Sequence, residues 1–213
     1  MKVSGKNIRI AIAGAVLVLL VALAASSASA DTFGSRAEVS VMGGVQALNE
    51  NDTAVPDRLV TIPAVATVTY NVSPRLAAEG EFTWLIPVKQ SVDTGSGTSQ
   101  DLKTSDILAY QANLRVNFPV STWTPYLVGG AGAVTFLSNT DPDVVPQLDQ
   151  SQTAFAVNFG GGVHYALTER WGVRADVREL VAFPSDTATG LSSAGHADEV
   201  WMERGTVGLS YRF

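Results

Sequence analysis

Period-two alternation constrains this chain more than any other feature. It is plainest in FAVNFGGGVHYAL, residues 155–167, where Phe155, Val157, Phe159, Val163, Tyr165 and Leu167 alternate with Ala156, Asn158, Gly160, Gly162, His164 and Ala166. Successive side chains of a β-strand point to opposite faces, so this segment reads as a strand with one bulky apolar face and one small or polar face. Seven further segments repeat the pattern: 36–48, 60–72, 75–86, 106–118, 125–137, 170–183 and 199–213. The bulky set is carried by residues such as Val39, Val41, Tyr70, Phe82, Trp84, Leu114, Phe118, Trp171, Val207, Leu209, Tyr211 and Phe213. In 125–137 the alternation assigns Tyr126, Val128, Gly130, Gly132, Val134 and Phe136 to that face. The charges inside strands gather on the opposite face: Glu38, Glu79, Glu81 and Asp176 with Arg36, Arg115, Arg174, Arg178, Arg204 and Arg212.

The connections alternate too. Those after the second, fourth and sixth segments are short. Those after the first, third, fifth and seventh are long and rich in Gly, Ser, Thr, Asn and Asp, with 87–105 the longest and read as loop throughout. The long connections with their immediate flanks carry twelve acids (Glu50, Asp52, Asp57, Asp93, Asp101, Asp106, Asp141, Asp143, Asp149, Asp186, Asp198 and Glu199). Against them stand three bases, Arg58, Lys89 and Lys103, for a net −9.

The first thirty residues obey different rules. Lys2, Lys6 and Arg9 precede an apolar run from Ile10 to Ala25, and Ala28-Ser29-Ala30 ends it. This is the layout of a secretory signal peptide, with the mature chain expected to start near Asp31; the competing arrangement is an uncleaved anchor. The domain expectation is therefore 1–30 leader and 31–213 barrel. No later apolar run approaches the ~20 residues of a helical span. Without the leader the chain keeps eleven bases and twenty acids, a net of −9, which disfavours nucleic acid as a partner. Cysteine is absent, which removes disulfides, thiol chemistry and cysteine-ligated metals.

Eight alternating strands suit a closed all-β barrel, and the two faces choose its solvent. A soluble lipocalin-like barrel hides its apolar face, but eight strands leave an interior only wide enough for side chains to fill. A face bearing Tyr126, Phe136, Phe155, Phe159, Trp171, Tyr211 and Phe213 is too bulky for it, whereas a face of Gly, Ala, Ser and compensating charges fits. The expected fold is an eight-stranded antiparallel up-and-down transmembrane β-barrel, greasy outside and polar inside, with short turns at one end and long loops at the other.

Three stretches carry a family resemblance: PYLVGGAGAVTF at 125–136, FGGGVHYALTERWGVRADVREL at 159–180, and the terminal GLSYRF. Over about 37–213 the chain resembles the OmpA/OmpX-type small eight-stranded outer-membrane barrels. The resemblance implies export to the outer membrane of a Gram-negative bacterium and contact with outer-membrane lipid and lipopolysaccharide. It implies an assembly signal at Leu209, Tyr211 and Phe213, read by the outer-membrane assembly machinery. No peptidoglycan-binding domain is expected after the barrel, so a cell-wall tethering role is not implied.

For function, the lumen charges read first as a structural salt-bridge network and second as a narrow path for a small or hydrophobic solute. His164, on the inward face, and His196, in the fourth loop, have no partner at catalytic spacing, so a lipid-modifying enzyme is the least favoured reading. Parity places Glu179 and Glu203 on the lipid face, near the upper edge of the apolar belt. A bulge at 178–180 would instead turn Glu179 inward, and a cation shared with lipopolysaccharide phosphates is the sharper alternative. Asp141-Pro-Asp143 lacks the spacing of a calcium loop. No cofactor and no metal is expected. The sequence predicts a non-enzymatic structural or surface-interaction protein with an unidentified surface ligand.

Overall fold

The computed structural model describes residues 36–49, 59–88, 90–93, 99–102, 105–139, 150–184 and 199–213. The expected leader at 1–30, His196 and most of the acidic loop residues fall outside that set. The described chain forms ten strands: β1 (Ala37–Asn49), β2 (Leu59–Asn71), β3 (Leu76–Pro87), β4 (Gln90–Asp93), β5 (Ser99–Leu102), β6 (Ile107–Asn117), β7 (Trp123–Phe136), β8 (Gln152–Ala166), β9 (Trp171–Phe183) and β10 (Val200–Arg212). Eight of them close a barrel in the order β1-β10-β9-β8-β7-β6-β3-β2, each antiparallel to its neighbours. Closure is made by β1 and β10, paired from Glu38↔Arg212 to Asn49↔Trp201. In hydrocarbon every backbone N–H and C=O needs a partner, and a closed ladder supplies one without edges.

The short turns are held by local chemistry. The Ser73 hydroxyl accepts from the N–H of Leu76 at 3.0 Å, and the Thr168 hydroxyl accepts from that of Trp171 at 2.9 Å. Ser121, at φ 57°, turns the chain between β6 and β7. Opposite Pro63, which has no N–H to donate, the β1–β2 ladder skips from Gly43↔Ala64 to Gln46↔Thr61 without changing register. The 87–105 connection is not loop throughout: β4 and β5 pair there antiparallel, from Gln90↔Leu102 to Asp93↔Ser99. Strands of four mostly polar residues are too short to display a period, and the Gly-Ser-Gly between them reads only as a turn.

The outer face is ringed by aromatics at both ends. Near the short turns, Trp123 meets Tyr165 at 4.6 Å between ring centroids, Trp171 meets Tyr211 at 5.0 Å, and Tyr211 meets Phe213 at 5.2 Å. Toward the loops stand Phe155 with Phe183 at 6.2 Å and Phe82 with Tyr110 at 5.6 Å. Val41, Leu127, Phe159, Val177, Val207 and Leu209 are exposed between these rings. An apolar band between two aromatic girdles is the outer surface of a transmembrane barrel.

One strand runs against its sequence reading. In β7 the inward residues are Tyr126, 2% exposed, and Phe136, 3% exposed, together with Val128 and Val134; Leu127, 60% exposed, points outward. The faces of this strand differ little, because Trp123, Pro125, Leu127 and Ala131 are as apolar as the set opposite. Its phase is decided by neighbours. Gly162 on β8 leaves the space that the Tyr126 ring fills, and a Cβ there would meet Tyr126 Cζ and Oη. The Tyr126 hydroxyl donates to Asp176 at 2.6 Å.

This phase makes a measurable difference. Leu127→Arg places a charge in the apolar band and is expected to cost about 2–4 kcal/mol, the penalty for arginine near mid-membrane. Urea unfolding of the barrel refolded into lipid vesicles measures it; a cost below about 0.5 kcal/mol returns β7 to the opposite phase.

Candidate functional site: the lumen

The period of two that greases the outer wall also aims every second side chain at the axis. Glu79 on β3 is the hub. Its carboxylate accepts from Arg174 Nη1 and from Arg178 Nη2, each at 2.8 Å, and from the Asn113 amide at 3.2 Å. In ring order β3 and β9 are diametrically opposed, so these two ion pairs cross the full lumen. Asp176 accepts from Arg178 Nε at 2.7 Å and Arg174 Nη2 at 3.1 Å. Arg174, 0% exposed, also donates through Nε to Tyr126 Oη at 2.7 Å and through Nη1 to Thr67 at 3.2 Å. The guanidinium carbons of Arg115 and Arg174 each lie 4.9 Å from the Tyr126 ring centre, so one ring is within reach of two cations.

The network extends both ways along the axis. Toward the loops, Glu81 takes Arg178 Nη1 at 3.0 Å and Arg204 Nη2 at 2.9 Å, while Arg204 Nη1 donates to Thr83 at 2.7 Å. Toward the short turns, Glu38 takes Arg212 Nε at 3.0 Å and Arg115 Nη1 at the longer 3.6 Å. Nine of the ten charged residues that alternation assigns to the inward face, from Glu38 to Arg212, line one connected axis. Arg36 stands apart, exposed at the short-turn mouth.

Beyond Arg204 the lumen changes character. Leu85, Ile107, Val134, Phe136, Leu180, Val200 and Met202, with Ala109, Ala154, Ala156 and Ala182, form a buried apolar cluster inside the loop-side end. The sequence reading anticipated polar filling throughout and missed this cap. Its signal was available: the inward parity, carried to the loop-side strand ends, lands on these residues. The inverted β7 hides Val134 and Phe136; Ala109 and Ala156 stand on the small face by alternation, and Leu85, Ile107, Leu180, Val200 and Met202 lie toward strand ends to which that reading assigns no face.

His164 has partners that its sequence spacing did not suggest. Nε2 lies 2.8 Å from Ser210 Oγ and 3.7 Å from Glu38 Oε2, and Nδ1 lies 3.3 Å from Arg212 Nη2. Serine, histidine and glutamate thus meet, but not in a nucleophile's arrangement. The arginine can only donate, so a neutral ring must accept at Nδ1 and carry its proton on Nε2. That nitrogen then gives a proton to Ser210 or Glu38 and cannot take one from the serine. Gly172 makes the room, since a Cβ there would press on His164 Nε2 and Ser210 Oγ.

Glu179 and Glu203 face each other on the outer wall. The β9–β10 register runs unbroken through Glu203↔Glu179, so no bulge turns Glu179 inward. They line a groove with Val45, Val60, Phe159 and Val177; toward the loops Trp201 lies one outward position on and Phe183 two. Among the described residues no group of His, Asp and Glu is arranged to hold a metal.

Two substitutions test how tightly the lumen is filled. Glu79→Ala removes the carboxylate that Arg174 and Arg178 share across the lumen and is expected to destabilise by about 3–5 kcal/mol in urea unfolding. Gly162→Ala, forced against Tyr126 and the Ala175 carbonyl, is expected to cost about 1–3 kcal/mol. Gly80→Ala, which meets nothing within 4 Å, serves as the neutral control.

Comparison with known proteins agrees with this architecture. The family model described as "Outer membrane protein beta-barrel domain" matches residues 15–213. Neisserial surface protein A superimposes with a TM-score of 0.57 at 15% identity, covering 85% of this chain and 100% of that one. The N-terminal β-barrel domain of Pseudomonas aeruginosa OprF gives 0.49 at 11% identity, again over 85% and 100%. At such identities the likeness concerns the fold. No curated protein sequence matches the chain.

Proposed function

The chain belongs to the outer membrane protein β-barrel family, and from that premise we propose that it is a closed, non-enzymatic structural barrel that meets surface ligands through its acidic loops. Its place is the outer membrane of a Gram-negative bacterium, where lipid solvates the outer wall. One observation carries the proposal: the lumen is filled twice over. The ion-paired belt of Glu79, Asp176, Arg174 and Arg178 occupies its middle, and the apolar cluster of Leu85, Phe136, Leu180 and Met202 caps it on the loop side. A conducting path would have to break cross-lumen ion pairs and wet an apolar cap, both costly.

The absence of catalysis rests on the His164 tautomer argued above and on the burial of its whole environment. Surface interaction is assigned to the loops because they hold a net −9 and extend from the capped end. Leu209 and Phe213 project outward on the strand that closes the barrel, and Tyr211 shares their face. In this reading the three form the pattern that the assembly machinery takes up. The charges Glu38, Glu81, Arg115, Arg204 and Arg212 are structural in it.

Planar-bilayer recording decides between filling and transport. The protein is expected to give no single-channel steps in 1 M salt. Steady steps from wild-type protein reject the closed barrel in favour of a channel for small solutes.

A further inference from the structure

The lumen charges do not cancel. Five arginines (Arg115, Arg174, Arg178, Arg204 and Arg212) face four carboxylates (Glu38, Glu79, Glu81 and Asp176). The surplus is not spread evenly. The belt around Glu79 and Asp176 is tightly paired, whereas Arg115 is held only at 3.6 Å from Glu38 and 3.8 Å from Glu79. Arg115 is 2% exposed, and its Nε and Nη1 have no hydrogen-bond partner among the described residues. Donors buried without an acceptor are costly, more so on a charged group.

Arg115 also lines a cavity of about 470 Å³ at the short-turn mouth, together with Arg36, Arg212, Asn71, Asn117 and Thr124. No acidic residue lines it. Asn117 is buried there, and its side-chain oxygen has no partner. An amide can turn to present its NH₂ instead, so this group is as ready to donate as to accept. Three guanidinium groups, two amides and the hydroxyls of Ser73 and Thr124 around one space make a donor-rich, positively charged vestibule.

We propose that this vestibule binds a small oxyanion of the phosphate or sulfate class. Guanidinium forks match such oxygens in bidentate pairs. The anion would offset the unbalanced lumen charge and take hydrogen bonds from the arginines that line the space. It has two available sources at the short-turn end, which in this family is periplasmic: a free anion, or the phosphate of a lipid headgroup reaching over the rim. The site is separate from the loop-side cap, so it stands whether or not the barrel conducts.

The test uses the protein purified from outer membranes in a maltoside detergent, at constant ionic strength so that general screening is held fixed. Inorganic phosphate is titrated while the Nε–H of Arg115 and the amides of Asn71 and Asn117 are followed by NMR. Saturable shifts confined to these groups are expected, with sulfate competing. Arg36→Gln, at an exposed rim position, is expected to raise the phosphate Kd about fivefold, near 1 kcal/mol. Arg75→Gln, on the same turn as Ser73 and Pro74 but not itself lining the cavity, leaves Kd unchanged. A parallel titration with glycerol phosphate separates the sources: tighter saturation than by inorganic phosphate assigns the site to a headgroup, and weaker saturation assigns it to a free anion. The inference is overturned by shifts that fail to saturate with either probe, or by equal losses in Arg36→Gln and Arg75→Gln, which reduce it to diffuse charge.

Discussion

Hydrocarbon withdraws the force that organises most folds. A strand face of Val41, Leu127, Val177 and Leu209 gains nothing by turning inward when its surroundings are already apolar. What remains compulsory is the pairing of every backbone amide and carbonyl, and a sheet meets that demand in lipid only by closing on itself. Closure through β1 and β10 fixes eight strands, and eight strands fix a narrow interior. The small side chains, the glycines beside Tyr126 and His164, and the compensated charges all follow from that limit.

The same limit explains which features were legible in the residues alone. Where the two faces of a strand differ sharply, phase can be read directly: Glu79 and Glu81 against Phe82 and Trp84, or Arg174, Asp176 and Arg178 against Val173 and Val177. The β9–β10 register even carries Glu179 and Glu203 to the outer wall as alternation alone requires. In β7 both faces are apolar and glycine-rich, so local pattern holds no phase information. The decision came from Gly162, Asp176 and Arg174, residues distant in sequence. Tyr126 was misassigned for being large and aromatic, yet its hydroxyl makes it a lumen residue with two polar partners. Bulk is a poor guide to facing when a glycine on the next strand can vacate the volume.

The apolar cap shows a related gap. Leu85, Ile107, Leu180 and Met202 occupy inward positions but have the chemistry of an ordinary core, and at the loop-side end they form one. A membrane barrel is therefore not uniformly inside-out. Its wall is inverted along the hydrocarbon. Its loop-side end, whose interior would otherwise open toward water, returns to burying aliphatic groups for the usual reason. The meeting of His164 with Ser210 and Glu38 was hidden for the opposite reason: three residues on three strands become neighbours only once ring order and register are known.

Buried ion pairs are weak evidence of stability, because desolvation offsets much of their attraction. Their arrangement here suggests a different contribution. Glu79 joins β3 to β9 across the full diameter, Glu38 approaches Arg115 from β1 to β6, and Arg204 links β10 to β3. Each tie spans three or four places around the ring of eight. Ladder hydrogen bonds fix the circumference but allow an ellipse of any eccentricity, and lipid does not press the walls together. Ties across the lumen hold the cross-section round, and because each joins particular residues of opposite walls, they also set the shear between those walls. An apolar filling of equal volume would resist collapse but could slide along the axis. Charges therefore suit the middle of this barrel, where register matters most, and aliphatic side chains suffice at the end where only sealing is required.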